Sequence, residues 1–154
     1  MNVEFVNPFI NGLLNVLETM AQTTLKPGKP KRKQSDIAQG DVSGLIGMVG
    51  PQVKGSMSIT FDEKLALAIM ERMVGERHEK IDAEVGDMVG EVTNMICGNA
   101  KRDLAEKGFD FGMATPIVVS GKQHTISHQV DGSKLIMPFM CDDGFAHMEI
   151  CFDK

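Results

Sequence analysis

Glu91, Asn94 and Gly98 stand three and four residues apart in the stretch GEVTNMICGN, residues 90–99. Steps of three and four bring side chains onto one face of a helix. Continuing the same steps adds Glu84 and Asp87 before this group and Lys101 after it. A carboxylate can pair with a cation on another molecule. A carboxamide both donates and accepts, so Asn94 can orient a water molecule without a tuned pKa. Glycine inside a helix costs roughly 0.5–1 kcal/mol against alanine, and at position 98 it removes bulk beside these polar groups. The set therefore suits close approach by another backbone or chain. Glu-x-x-Asn alone is a common pattern, since Glu4–Asn7 matches it too, and a polar stripe is ordinarily a solvated helix face.

The element that must carry this stripe is a long helix, capped by Asp82 and stopped at Gly108. Val85, Met88, Val89, Val92, Met95 and Ile96 fall on its core arc, with Leu104 on the flank. Cys97 lies off both arcs and reads as structural. Upstream, Asn7 followed by Pro8 looks like a cap and first helical residue. Phe9, Leu13, Leu14, Leu17 and Met20 then recur at helical spacing. Lys26-Pro27-Gly28-Lys29-Pro30 reads as a loop. Asp62 caps a further helix through Val74, with Gly75 as its terminal glycine. Strands are predicted over 35–40, 45–49, 53–61, 115–120, 124–129, 134–140 and 145–152. Gly50-Pro51-Gln52 and Asp142-Asp143-Gly144 supply turns. In the second of the paired strands Met57, Ile59 and Phe61 face one way, Ser58 and Thr60 the other.

Two motifs recur. D-x-S-x-L-I occupies 41–46 and 131–136, an offset of 90, and M-x-I-x-F-D occupies 57–62 and 148–153, an offset of 91. Each lies in a hairpin with a long helix upstream. The expected fold is α+β: two pseudo-equivalent halves, about 1–75 and 80–154 in a single domain, with long helices packed on antiparallel sheet.

Composition excludes several classes. The chain has 154 residues, 42% hydrophobic and 24% charged, as in a globular protein with a sizeable core. Its three cysteines, Cys97, Cys141 and Cys151, form no CxxC pair, which argues for a reducing compartment over a disulfide or zinc framework. No signal-like n-region or membrane-length apolar run is expected, so the cytoplasm is the default location and no membrane partner is expected. Lys26, Lys29, Lys31, Arg32 and Lys33 cluster within eight residues. Removing these five from 16 basic residues leaves 11 against 21 acids, a net −10. That balance, with no Trp or Tyr for base stacking, argues against nucleic acid, and the basic segment reads as a solvated loop.

The series Asp87-x3-Glu91-x2-Asn94-x3-Gly98, followed by Thr115-Pro116-Ile-Val-Val-Ser-Gly121 and set in duplicated helix–hairpin halves, resembles the CheC/CheX/FliY family of chemotaxis phosphatases over essentially the whole chain. Members carry an Asp/Ser-x3-Glu-x2-Asn motif with a proline some distance on. Only the second half here has it. The first helix has Asn11 and Asn15 but no Glu-x-x-Asn after Pro8, so the chain is most similar to the CheX pattern of one site.

The resemblance implies hydrolysis of the phosphoaspartate of a phosphorylated CheY-type response regulator. Asn94 would orient the attacking water and Glu91 would contact a lysine of the regulator. Mg²⁺ would sit on the regulator, with no cofactor held by this chain. Homodimers formed by joining sheets are also implied, with strand edges of the 134–152 hairpin as candidates. Asp87 would orient Glu91 or extend the acidic surface, and Gly98 would let the partner settle on the helix. Lys101 would meet an acidic rim or remain solvated. The alternative is a noncatalytic regulator-binding or flagellar-motor adaptor module of the same fold.

The other constellations are weak. His124 and His128 on a strand would stand about 13 Å apart, too far for one ion, and His78 and His147 add no ligand spacing. No phosphate-binding glycine loop occurs. Met57, Met88, Met95 and Met148 fit core positions, though methionine also suits an adaptable partner surface.

Overall fold

The computed structural model of the chain describes residues 3–51, 54–130 and 132–153. Gln52 and Val53 of the first predicted hairpin, and Asp131 of the second D-x-S-x-L-I motif, lie outside these. Helix α1 spans Val3–Ala21 and carries Pro8 inside it. It therefore starts before the expected Asn7–Pro8 cap. Packing sets that start: the Phe5 ring lies 4.6 Å from Phe109 and 5.2 Å from Phe152, centroid to centroid. This apolar contact holds the extra turn despite the donor that proline lacks. Phe9, Leu13 and Leu17 are buried as expected, whereas Met20 is exposed and Val16 is buried instead.

The two aspartate caps form as their spacing predicts. Asp62 Oδ1 accepts from the Leu65 amide at 3.0 Å and opens α2, Glu63–Val74, which Gly75 closes at φ 83°. Asp82 Oδ1 accepts from the Val85 amide at 3.0 Å and opens α3, Ala83–Glu106. Among the described residues no helix is long and apolar enough to cross a membrane.

Among the described residues eight strands form one antiparallel sheet. They are β1 Lys26–Pro27, β2 Lys31–Lys33, β3 Val42–Val49, β4 Lys54–Phe61, β5 Gly112–Met113, β6 Ile117–Ser120, β7 Lys134–Cys141 and β8 Gly144–Asp153. The order is β1-β7-β8-β4-β3-β5, with β2 also on β7 and β6 also on β3. The chain is thus α+β, with three helices packed on the antiparallel sheet. The hairpins β3–β4 and β7–β8 meet at the centre, where β4 pairs with β8 and Met57 opposes Ile150.

Register separates the two repeated motifs. Met57 and Ile59 of β4, with Met148 and Ile150 of β8, all turn toward the helices. Ile46 does so too, opposite Met57, but Leu135 rather than Ile136 opposes Ile150. The M-x-I-x-F segments therefore keep their faces, while the L-I pairs of D-x-S-x-L-I land on opposite faces. The one-residue difference between offsets 90 and 91 is enough, because side chains alternate with period two.

The other face of the sheet is buried as well, which strand alternation did not foretell. The basic segment forms β1 and β2 on β7 rather than a solvated loop. Lys33 is buried there, its Nζ 2.6 Å from Glu149 Oε2. His128 Nε2 lies 3.2 Å from Glu149 Oε1, and its Nδ1 bonds the Ser56 hydroxyl. His124 Nε2 meets Ser43 Oγ at 2.7 Å, and Ser43 bonds Thr60 at 2.6 Å. Strands expected at 35–40 and 124–129 reduce to one bridge, Ile37–Thr125, with bonds from Ala38 N to His124 O and Ile126 N to Asp36 O. These two segments lie across the polar face, so side-chain anchors replace a strand ladder. The hairpin 134–152 offers no edge for joining a second sheet: β8 is paired with β4, and β7 with β1 and β2.

Burial alone would raise the Glu149 pKa, but the hydrogen bonds from His128 and Lys33 outweigh it and hold the carboxyl below its ordinary 4.5. Stability from this group is present above the unfolded value and is lost as pH falls through the folded one. Acidification below about pH 4.5 should therefore lower the Tm of wild type more than that of Glu149→Gln. Glu149→Ala, which leaves the Lys33 ammonium buried without its carboxylate, should cost about 3–5 kcal/mol in urea unfolding.

Candidate functional site

Helix α3 is held on three sides. A β-carbon at Gly44 of β3 would collide with the Thr93 hydroxyl, and one at Gly12 of α1 would lie 2.9 Å from the Ile96 carbonyl oxygen. On a third side Gly90 faces Val118 of β6, where a β-carbon would come within 3.3 Å. The buried arc includes Val85, Val89, Val92, Thr93, Ile96 and Leu104. It is wider than the predicted arc and takes in Cys97, whose thiol is pushed up to about 12 by burial. That residue is a core group, as inert as a buried thiol should be. Met95, assigned to the core from sequence, is only half-buried and borders the outward face.

What remains outward is the predicted stripe. Asp87, Glu91 and Asn94 are exposed and Gly98 is half-buried. Among the described residues Asp87 and Glu91 make no ion pair. A β-carbon at Gly98 would meet nothing within 4 Å. Packing within the chain therefore does not require glycine there, in contrast to Gly12 and Gly44. A shallow groove runs beside Asn94, lined by Met95, Gly98, Asn99, Lys101, Arg102 and Ala105. Lys101 stands at its edge but is engaged within the chain. Its Nζ donates to the Phe111 carbonyl at 2.5 Å, lies 3.5 Å from Asp110 Oδ1, and sits 5.6 Å from the Phe111 ring centroid. It fastens the segment after α3 alongside the groove, a role that neither the acidic-rim nor the solvated expectation included.

Sequence spacing also missed His78. Its Nδ1 lies 2.6 Å from Asp82 Oδ2, and its Nε2 lies 3.7 Å from Glu76 and from Glu84. The Glu76, His78 and Glu84 ligand atoms fall within 4.8 Å of one another. The hydrogen bond to Asp82, aided by the neighbouring carboxylates, holds the imidazole above its ordinary 6.5. That favours the imidazolium form, which pairs with acids and does not ligate metals. His124 and His128 are neither strand nor helix and are occupied by Ser43, Ser56 and Glu149.

Among the described residues the ridge borders an open groove and not an enclosed cavity. Its exposed carboxylate and carboxamide, one turn apart, can enter a cavity belonging to another molecule.

The chain is similar to known chemotaxis proteins. The family model described as "Chemotaxis phosphatase CheX" matches residues 42–140, which include the whole ridge from Glu84 to Lys101. The chain is 25% identical over 123 residues to the CheY-P phosphatase CheX of Thermotoga maritima, covering 79% of each chain. The crystal structure of the chemotaxis protein CheX from Vibrio vulnificus superposes with TM-score 0.91 at 65% identity, over 97% of this chain and 99% of that one. The CheX–CheY–BeF3–Mg²⁺ complex of Borrelia burgdorferi superposes with TM-score 0.83 at 28% identity, over 99% of this chain and 100% of that one.

Since Gly98 has open space around it, Gly98→Ala should fold normally and gain about 0.5–1 kcal/mol in urea unfolding, read at an unchanged m-value. A loss of stability would show that the fold itself needs glycine there. The His78 ring protons, followed by NMR against pH, should titrate above 6.5, and Asp82→Asn should bring the midpoint down.

Proposed function

Because the chain belongs to the CheX family of chemotaxis phosphatases, we propose that it hydrolyses the phosphoaspartate of a phosphorylated CheY-type response regulator by inserting Glu91 and Asn94 into the regulator's active site. The observation that carries this reading is the pair of exposed side chains Glu91 and Asn94, with Gly98 one turn on, on a helix whose other sides are packed. A phosphoaspartate is already an activated acyl phosphate, so positioning and charge supply most of what catalysis needs. Asn94 accepts a hydrogen bond from a water molecule, aims its oxygen at phosphorus, and donates to a phosphoryl oxygen. The water oxygen bonds to phosphorus as the bond to the aspartyl oxygen breaks. The aspartate leaves as carboxylate, one water proton stays on the new P–OH, and the other passes to a second phosphate oxygen or to solvent.

Glu91 lies one turn away and pairs with a lysine of the regulator, which fixes the approach of the helix. Gly98 leaves room for the regulator's surface. Asp87 extends the acidic approach, and Lys101 acts from behind by fastening residues 110–111. Mg²⁺ belongs to the regulator in this reading, and this chain holds no cofactor. The partner named with the Borrelia burgdorferi relative supports a CheY-type regulator, and the name of the Thermotoga maritima relative supports hydrolysis. A sheet-joined homodimer would use the outer edges β1/β2 or β5/β6, because the 134–152 hairpin is paired on both sides.

The test is the lifetime of phosphorylated CheY from the same cell, with Mg²⁺ and substoichiometric protein. Wild type should shorten it, and Asn94→Ala should lose about 100-fold or more in kcat while still binding. An unchanged lifetime with wild type would remove the phosphatase reading and leave a regulator-binding adaptor.

A further inference from the structure

Two surfaces flank Glu91 and Asn94, and they differ in sign. Toward α2 a groove has Met70, Met73 and Met88 as its floor, Val74 at its lip, and Glu84, Asp87 and Glu91 along its rim. It contains no basic side chain. On the other side of Asn94 the groove is lined by Arg102 and by Lys101, which is paired with Asp110 at its edge. The helix dipole accounts for Glu84 in the first turn of α3, but its effect fades before Asp87 and Glu91. Folding does not account for Val74 either, which is 52% exposed at the end of α2.

Glu84 is engaged by His78, so Asp87 and Glu91 give the rim its open acidity, and an apolar floor beside them selects an apolar side chain that has a cation next to it. Methionine adapts its shape to such a guest, and the rim supplies charge complementarity. Arg102 on one side of Asn94, against Asp87 and Glu91 on the other, also favours one orientation of a partner.

We propose that the α2–α3 groove is a specificity-determining part of the regulator footprint, receiving an apolar side chain flanked by lysine or arginine from the same response regulator that takes Glu91 and Asn94. This rests on the phosphatase reading. Met73, Val74 and Asp87 set affinity and orientation, and Asn94 sets rate.

The experiment uses the full chain with phosphorylated CheY from the same cell for turnover, and with the Mg²⁺–BeF3⁻ form of that regulator for calorimetric binding. Wild type, Val74→Lys, Asp87→Lys and Asn94→Ala are compared. Met140→Lys, on an exposed residue of β7, is the control. Val74→Lys and Asp87→Lys should raise KM and Kd by about fivefold or more, because each places a cation against a cation, with kcat within about twofold of wild type. Asn94→Ala should show the reverse split, and Met140→Lys should match wild type.

If wild type turns over and Asn94→Ala does not, yet Val74→Lys and Asp87→Lys keep wild-type KM and Kd, the groove proposal is overturned and the phosphatase reading stands. If wild type binds without hydrolysis, the phosphatase reading fails and the Kd values of the two lysine variants decide the groove. If wild type neither binds nor hydrolyses, both are overturned. Matching losses in Met140→Lys would also overturn the proposal, since they would show a general charge effect.

Discussion

Thr93 occupies the place where a side chain at position 44 would be. That contact between α3 and the middle of β3, with the parallel approach of α1 at Gly12, fixes the roll of the long helix about its axis. A helix turns about 100° per residue, so an error of one position would carry Asn94 toward the core. The Thr93 hydroxyl is satisfied locally by the Val89 carbonyl at 2.7 Å, so its burial under the sheet leaves no donor stranded. With the roll fixed, three sides of α3 pack and the fourth presents Glu91, Asn94 and Gly98.

This arrangement suits a ridge better than a pocket. Nothing in it needs a low dielectric or a shifted pKa. The carboxylate and carboxamide are presented on a regular helix, which holds their spacing more firmly than a loop would. The nearby loop is itself restrained, because Lys101 bridges α3 to the Phe111 carbonyl. Pre-ordering of this kind leaves less conformational entropy to lose when a partner docks.

The opposite face of the sheet carries the costly electrostatics. Lys33, Glu149 and His128 are buried together and meet only because β2, β8 and the 124–130 segment converge. Removing one member would leave the others desolvated without a partner, so the cluster binds the segments over residues 36–38 and 124–126 to one arrangement. The helices shield the inner face and these segments shield the outer. Charge burial that steadies the sheet is thereby kept on the far side from the exposed ridge of α3.

Local periodicity is what the sequence determined by itself. The stripe at 84, 87, 91, 94, 98 and 101, the caps Asp62 and Asp82, the glycine stop at 75 and the two long hairpins all rest on interactions within a few residues. Their steric rules are legible without a fold. Tertiary structure decided whatever depends on partners distant in the chain. Lys33 and Glu149 are 116 residues apart, so the basic run looked solvated until β7 paired it and buried its last member. Packing of Phe5 on Phe109 and Phe152 overrode the cap expected at Asn7. The segments at 35–40 and 124–129 looked like strands from composition but became side-chain-anchored covers, because they lie across the polar face of the sheet, where His124 and His128 bond Ser43 and Ser56. Closure of the fold also brought Glu76, His78 and Glu84 together and split the two L-I pairs onto opposite faces, since register is set by pairing between strands and not by the motif along one of them.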